Sequence, residues 1–489
     1  MYISVVPNRN SPPAILLREG WREGNKTRQR TLANLSHWPK EKVETFRRLL
    51  RDEPLVSAHD LLSTQKTLPH GQVEALLLAV RKLGLDTMIS AQPCRERDLV
   101  LAMIVQRLLD PCSKLATTRQ WHSTTLGEEL GVSDASEDEL YEAMDWLLER
   151  QGRIEKKLAA RHLGEGSLVL YDVSSSYYEG KHCPLAQYGH DRDGQKGLPI
   201  IVYGLMTDGE GRPIAVDVYA GNTGDPTTVV DQVNKLRERF GLSRVVLVGD
   251  RGMLTQPQID KLKAHPQMGW ITALTSVAIR GLLGEGALQL SLLDEKNLVE
   301  IQSPSYPGER LMVCYNPLLA EERKRKREEL LAATEKALSR IGREVERRTQ
   351  KPLMATEIAL KVGKVLGHYK MGKHFQHQIE DGKLSWSRRE ETITEEAKLD
   401  GIYVIRTSEP AEQLSAADAV RGYKSLAQVE RAFRSLKSLD LLIRPIRHRT
   451  EERVPAHIFL CLLAYYVEWH LRRVWAPLLF EDEELPQQR

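Results

Sequence analysis

Residues 167–180 read SLVLYDVSSSYYEG, and this stretch constrains the fold more than any other. Its apolar run, Leu168 to Tyr171, has turn-prone residues on both sides, which predicts a strand buried on both faces. Asp172 follows the run, and the expectation is that it projects from the strand's carboxyl end. A second run, RVVLVGD at 244–250, ends the same way in Asp250, followed by Arg251 and Gly252. Two adjacent buried strands of this kind place Asp172 and Asp250 at one edge of a sheet. Two carboxylates about 4 Å apart repel by roughly 4 kcal/mol at an effective dielectric of 20. Such a pair persists where it shares a proton or binds a cation.

At 489 residues the chain has room for several domains with cores of their own. A net charge of only +3 means that any polyanion-binding surface must come from local segregation of basic residues. The five cysteines, Cys94, Cys112, Cys183, Cys314 and Cys461, are widely spaced. That argues against a disulfide framework and for a reducing cytoplasm. The first residues lack the apolar core of a signal peptide, and the apolar stretches at 99–105 and 458–467 are short for a bilayer. No membrane partner is expected.

Taken in order, residues 1–54 form a β-rich basic segment, with Arg22, Lys26, Arg28 and Arg30 clustered around Gly24 and Asn25. A solvated turn and a phosphate contact explain that cluster equally well. Residues 55–165 read as helical and have the size of a DNA-recognition module, although a purely structural bundle fits as well. Ser136 and Glu139 make a capping box there, and Asp110-Pro111 closes the helix before it. Residues 166–276 change to a three-stranded meander, then a helix leading into the Asp250 strand, as in a mixed α/β sheet. Residues 277–399 interrupt that pattern. Their main feature is a helical stripe of Leu331, Thr334, Leu338, Ile341 and Val345. The adjoining run RKRKR at 323–327 reads as a solvated helix face. Residues 400–489 return to a buried strand, a helix predicted over 423–441, and a final amphipathic helix at 451–473.

Several chemical patterns fall away. The segment GHYKMGKH at 367–374 lacks the Ser or Thr of a phosphate-binding loop and the strand before it. His182, Cys183 and His190 do not have zinc-ligand spacing. The constellation that remains is Asp172, Asp250 and Glu430. Each lies on or just after a predicted element, and Arg434 and Lys437 sit one and two turns beyond the glutamate. Three acids around one point beside basic residues suit hard divalent ions and a polyanion. Spacing alone leaves open that they are three unrelated surface acids.

The segments YDVSSSYYEG, YGHDRDGQKGLPIIVYGLMTDGEGRPIAVDVYAGNTGD, VVLVGDRGM, LDGIYVIRT and YKSLAQVERAFRSLK occur in this order between residues 167 and 473. In them the chain resembles the DDE transposases of bacterial insertion sequences, in the IS-four-like superfamily and nearest its sixteen-thirty-four branch. That family marks its last acid with Tyr, two residues, Arg, three residues, Glu, six residues, Lys. Tyr423, Glu430 and Lys437 fit; Leu426 stands at the Arg position, with Arg431 or Arg434 as substitute. The resemblance implies an α/β fold with an RNase H-like mixed-sheet core, an inserted α+β subdomain, and a mainly helical region before it. It also implies two Mg²⁺ or Mn²⁺ ions at Asp172, Asp250 and Glu430. Its partners would be double-stranded terminal-repeat and target DNA and a second copy in a synaptic homodimer, at the cytoplasmic nucleoid. The expected activity is cleavage of the element's ends and their joining to target DNA. A metal-dependent nuclease without joining, or an inactive DNA-binding relic, are the alternatives. Tyr423, Arg431, Arg434 and Lys437 are expected at the DNA. Trp386, with Arg388 and Arg389 after it, is a candidate to hold a displaced base, against the alternative that it packs the insertion's own sheet.

Overall fold

The computed structural model describes residues 1–55, 64, 66–265, 267–293 and 297–479. The remaining residues of the helical segment and the last ten of the 400–489 segment lie outside that description. The chain divides into two compact units, Met1–Leu68 and Pro69–Arg489.

In the first unit β1 (Tyr2–Val6), β2 (Ala14–Glu23) and β3 (Lys26–Asn34) form an antiparallel sheet, followed by α1 (Lys40–Leu49). The basic cluster sits on the β2–β3 hairpin, where Gly24 takes a φ of +61° and lets the chain reverse. Arg28 pairs with Glu23 and Arg30 with Glu19.

The second unit opens with α2 (Gly71–Lys82), α3 (Leu85–Ile89), α4 (Arg95–Leu109), α5 (Lys114–Gln120), α6 (Leu126–Glu129), α7 (Glu137–Leu148) and α8 (Gln151–His162). The Ser136–Glu139 capping box starts α7 as read from the sequence. Every residue of α4 from Leu99 to Arg107 is buried, because α2, α7 and the final helix enclose it. Glu155 ties α8 to the sheet. It is wholly buried, accepts a hydrogen bond from the Val216 amide (3.1 Å) and pairs with Lys235 (3.3 Å).

The central sheet begins with β4 (Ser167–Tyr177), β5 (Ile200–Asp208) and β6 (Pro213–Ala220), an antiparallel meander. The chain continues through α9 (Val229–Asn234), β7 (Val245–Val248), α10 (Gln256–Lys263), β8 (Met268–Ala273) and α11 (Ser276–Gly284). β7 lies parallel to β4 on one side and to β8 on the other. The spatial order β6-β5-β4-β7-β8 therefore runs third, second, first, fourth, fifth in the chain. This is the RNase H-like core. Next come β9 (Leu298–Ile301), β10 (Arg310–Tyr315), α12 (Pro317–Arg347), α13 (Ala355–Tyr369), β11 (Phe375–Glu380), β12 (Lys383–Arg388), α14 (Glu390–Ala397), β13 (Ile402–Thr407), α15 (Ala416–Lys424), α16 (Leu426–Lys437) and α17 (Arg453–Leu479). β13, β10 and β9 extend the sheet antiparallel beyond β8. Two strands from within 277–399 thus belong to the central sheet, since Leu311 to Cys314 are buried in register against β13. α12, α13, the β11–β12 hairpin and α14 pack round a core of their own, with Leu331, Thr334, Leu338, Ile341 and Val345 on the buried stripe of α12.

Three elements differ from expectation. β4 runs on to Tyr177, so Asp172 is in mid-strand; beyond Leu170 the strand loses β7 but keeps β5, and pairing on that side carries it forward. The helix predicted over 423–441 is two helices, α15 and α16, meeting at Ser425. α17 is a core helix rather than an amphipathic one. Ile458 to Val467 are all buried against α4, α7 and β6. By length and composition alone it would suffice to cross a membrane.

Candidate active site

The register of two strands brings the first two acids together. In the parallel pair, Leu170 stands opposite Val248. Two residues further on, Asp172 and Asp250 come level, and the period of two puts them on the same face as that last pair. Asp250 lies in the turn after β7, where its Oδ1 accepts hydrogen bonds from the amides of Gly252 (3.0 Å) and Met253 (2.7 Å). Those bonds fix the carboxylate at the sheet's edge while leaving it exposed. Asp172 is half-buried and accepts a bond from the Val173 amide (2.8 Å).

Glu430 arrives on α16, which lies across β4. Leu426, Val429, Ala432, Phe433 and Leu436 form its buried face, with the Phe433 ring 5.8 Å from that of Tyr203. Glu430, Arg431 and Arg434 are on the exposed side. Leu426, at the expected Arg position, is part of the buried face.

Electrostatics show that the three acids share one region. Burial pushes the Asp172 carboxyl up to about 7, and the charges of Asp250 and Glu430 push the same way, against the Val173 amide and Arg192. Tyr423 feels the same field: burial raises its hydroxyl, and Asp250 and Glu430 raise it further, against Arg251. Among the described residues, however, no three His, Cys, Asp or Glu side chains stand in the arrangement of a metal cage. As a donor set, three carboxylates fit a hard divalent cation.

Lys437 is not placed as expected. Its Nζ donates to the Ser175 carbonyl (2.6 Å) and to Asp193 Oδ1 (2.9 Å). Burial lowers its pKa, and Asp193 pulls it back up. Asp193 also pairs with Arg444 (2.5 Å) and accepts from the Tyr177 amide (3.2 Å). Lys437 therefore fastens the end of α16 to β4 and is taken up internally. By contrast Arg431 and Arg434 have no ion-pair partner among the described residues.

Trp386 is half-buried on the insertion's own core, its ring 5.9 Å from Phe375 in an edge-on contact. Arg388, expected to hold phosphate, is instead bound by Glu328 and Glu335 through four hydrogen bonds of 2.6–3.1 Å. The displaced-base reading loses that support, and packing accounts for the indole.

The basic run of α12 is solvent-facing, with Arg323, Lys324, Arg325 and Lys326 exposed. Arg323, Lys326 and Arg327 line a groove of about 460 Å³ together with Arg251, Arg280 and Lys373. Arg327 is bound to Asp400 and Lys373 to Glu396. Arg251, Arg280 and Lys326 have no ion-pair partner among the described residues. Arg251, which directly follows Asp250 in the chain, is one of the groove's lining residues. Sequence reading missed Arg280 and Arg192, which lie far from the acids in sequence or within a turn-rich loop. In the sequence Arg192 stands in the loop HDRDGQK, where Asp191 and Asp193 balance Arg192 and Lys196, so composition gave no signal.

Residues 165–467 match the family model described as the transposase DDE domain. The chain belongs to the DDE transposase family. Residues 3–55 separately match the N-terminal domain of the IS1634 family transposases. The protein is thus a DNA transposase, an enzyme that cleaves DNA. Similar solved structures include a piggyBac transposase synaptic complex with hairpin DNA. It is 11% identical, with 80% of this chain and 75% of that one covered and a TM-score of 0.35. Another is the Mos1 transposase paired-end complex with the left transposon end, 12% identical, covering 48% and 68%, with a TM-score of 0.16. No curated protein matches the transposase. All five of its cysteines are free.

Proposed function

We propose that Asp172, Asp250 and Glu430 are the catalytic acids at which this transposase cuts the ends of an insertion sequence and joins them to target DNA. The observation that carries this is the parallel register of β4 and β7, which sets Asp172 level with Asp250 in the electrostatic reach of Glu430. Two Mg²⁺ or Mn²⁺ ions held by these carboxylates would supply an activated attacking oxygen and neutralise the leaving one. The chain's own residues do the rest. Arg192 offsets the charge on Asp172, and the Tyr423 hydroxyl lies in the field of Asp250 and Glu430. Arg431 and Arg434, exposed on α16, and Arg251, Arg280 and Lys326, along the groove, contact backbone phosphates and hold a strand in line with the acids. Terminal inverted repeats and target DNA are the substrates, brought together by a homodimer at the bacterial nucleoid.

The test is a cleavage and strand-transfer assay with the DNA of the element's own ends, Mg²⁺ and a target plasmid. Nicking at the ends followed by joined product is expected. Cutting without joining would reduce the reading to a nuclease.

A further inference from the structure

A second charged cavity lies away from the acids. It measures about 280 Å³ and opens between α4, the start of α5, and the 442–448 segment that leads from α16 towards α17. Its walls include Arg107, Lys114, Tyr141, His448 and His457, and none of its lining residues is acidic. Lys114 is 5% exposed, yet its ammonium has no hydrogen-bond or ion-pair partner among the described residues. A buried ammonium without a partner is costly, and buried charges are normally paired. Arg107 is equally buried. It donates to the carbonyls of Leu441 (2.8 Å), Leu442 (3.3 Å) and Cys112 (3.3 Å), all neutral acceptors, so its charge is uncompensated too. Its Nε has no partner. Arg444 and Arg447, at the same cavity, are engaged by Asp193 and Glu179.

The field inside is correspondingly positive. Burial and then Arg107 lower Lys114 to about 7; burial, Lys114 and Arg107 lower His448 to about 3. A chain that needed only packing here would be more stable with an apolar residue at 114. The long side chain is kept where it can neutralise nothing in its own fold.

We propose that this cavity is a phosphate-binding site in which Lys114 and Arg107 hold one phosphate group. Arg supplies a planar fork of donors and Lys a compact charge, the usual pair of groups for a phosphate. The cavity is too narrow for a duplex. The phosphate comes either from a protruding DNA strand end or from free inorganic phosphate. A bound phosphate would join the helical region to the segment that follows α16, the helix carrying Glu430.

The experiment uses the full chain and inorganic phosphate. Calorimetric titration at pH 7 is expected to show saturable binding to the wild type. Lys114→Met should weaken it at least tenfold, and Lys114→Arg should keep it within about threefold of wild type. Duplex ends with and without a protruding 5′-phosphate are then added as competitors. Displacement only by the phosphorylated end assigns the phosphate to DNA, and no displacement assigns it to the free ion; both support the site. Equal binding by wild type and Lys114→Met, or no binding by the wild type, overturns it. Should Lys114→Met fail to fold, wild-type crystals soaked in tungstate decide the matter. Anomalous density beside Lys114 supports the site, and density only elsewhere refutes it.

Discussion

Two ionic centres share β4 and α16, about two helical turns apart, and they are built on opposite plans. At one, burial and the charges of Asp250 and Glu430 raise the proton affinity of Asp172, against Arg192 and the Val173 amide. At the other, the Asp193 side chain is 1% exposed and fully answered, by Lys437, Arg444 and the Tyr177 amide. Both contain acids on the same strand-and-helix frame. The balanced centre closes the fold; at the other, the Asp172 carboxyl is raised by burial and by its acidic neighbours, which is what the proposed catalytic role would use. Charge balance, more than the presence of acids, separates a structural cluster from a working one.

The largest expected effect lies at the unbalanced centre. Asp172→Ala, Asp250→Ala and Glu430→Ala should each reduce end cleavage to background, while end-DNA binding measured by gel shift stays near wild type, because phosphate contacts are made by other residues. Thermal stability should be unchanged or should rise, most for Asp172→Asn, which removes a half-buried, repelled charge. A variant that still cuts at near wild-type rate would remove that residue from the site.

Asp193→Ala should show the reverse pattern. It leaves Lys437 and Arg444 without their buried partner, and breaking a buried pair in this way costs about 3–5 kcal/mol. Urea unfolding should show the loss directly. If Asp193→Ala is as stable as wild type, the two centres are not built on different plans.

How much of this was legible in the sequence follows from the same contrast. The apolar runs before Asp172 and Asp250 announced two neighbouring buried strands, which are parallel, and the stripe from Leu331 to Val345 is buried as its period required. Local pattern sufficed there because burial repeats with the period of the element. Lys437 is ambiguous in the sequence, since its seven-residue offset from Glu430 is compatible with either a phosphate or Asp193, and Asp193 lies 244 residues away. Lys114 gave no signal, because only the fold encloses it. The extra strands β9 and β10 were hidden by short length within a long insertion.

Trp386→Ala sharpens the comparison from the insertion's side. The ring is half-buried against Phe375, so its loss should lower stability by about 1–3 kcal/mol. Nicking and subsequent release should proceed as in wild type. A reaction that stalls after the first nick would restore the base-holding role.

The smallest effect separates two cations on one helix. Arg434 is exposed on α16 with no ion-pair partner among the described residues; Lys437, one turn on, is held by Asp193 and the Ser175 carbonyl. A cation that contacts duplex phosphate releases counterions, and its loss flattens the log–log salt dependence of binding by about 0.9. Arg434→Ala should therefore lower the slope by about one unit, with no change in melting temperature. Lys437→Ala should do the opposite, leaving the slope alone while destabilising the fold. The measurement is end-DNA affinity across a salt series, with unfolding followed in parallel. If Lys437→Ala flattens the slope and Arg434→Ala does not, the lysine leaves Asp193 for the DNA, and the balanced centre is itself part of the DNA-binding surface.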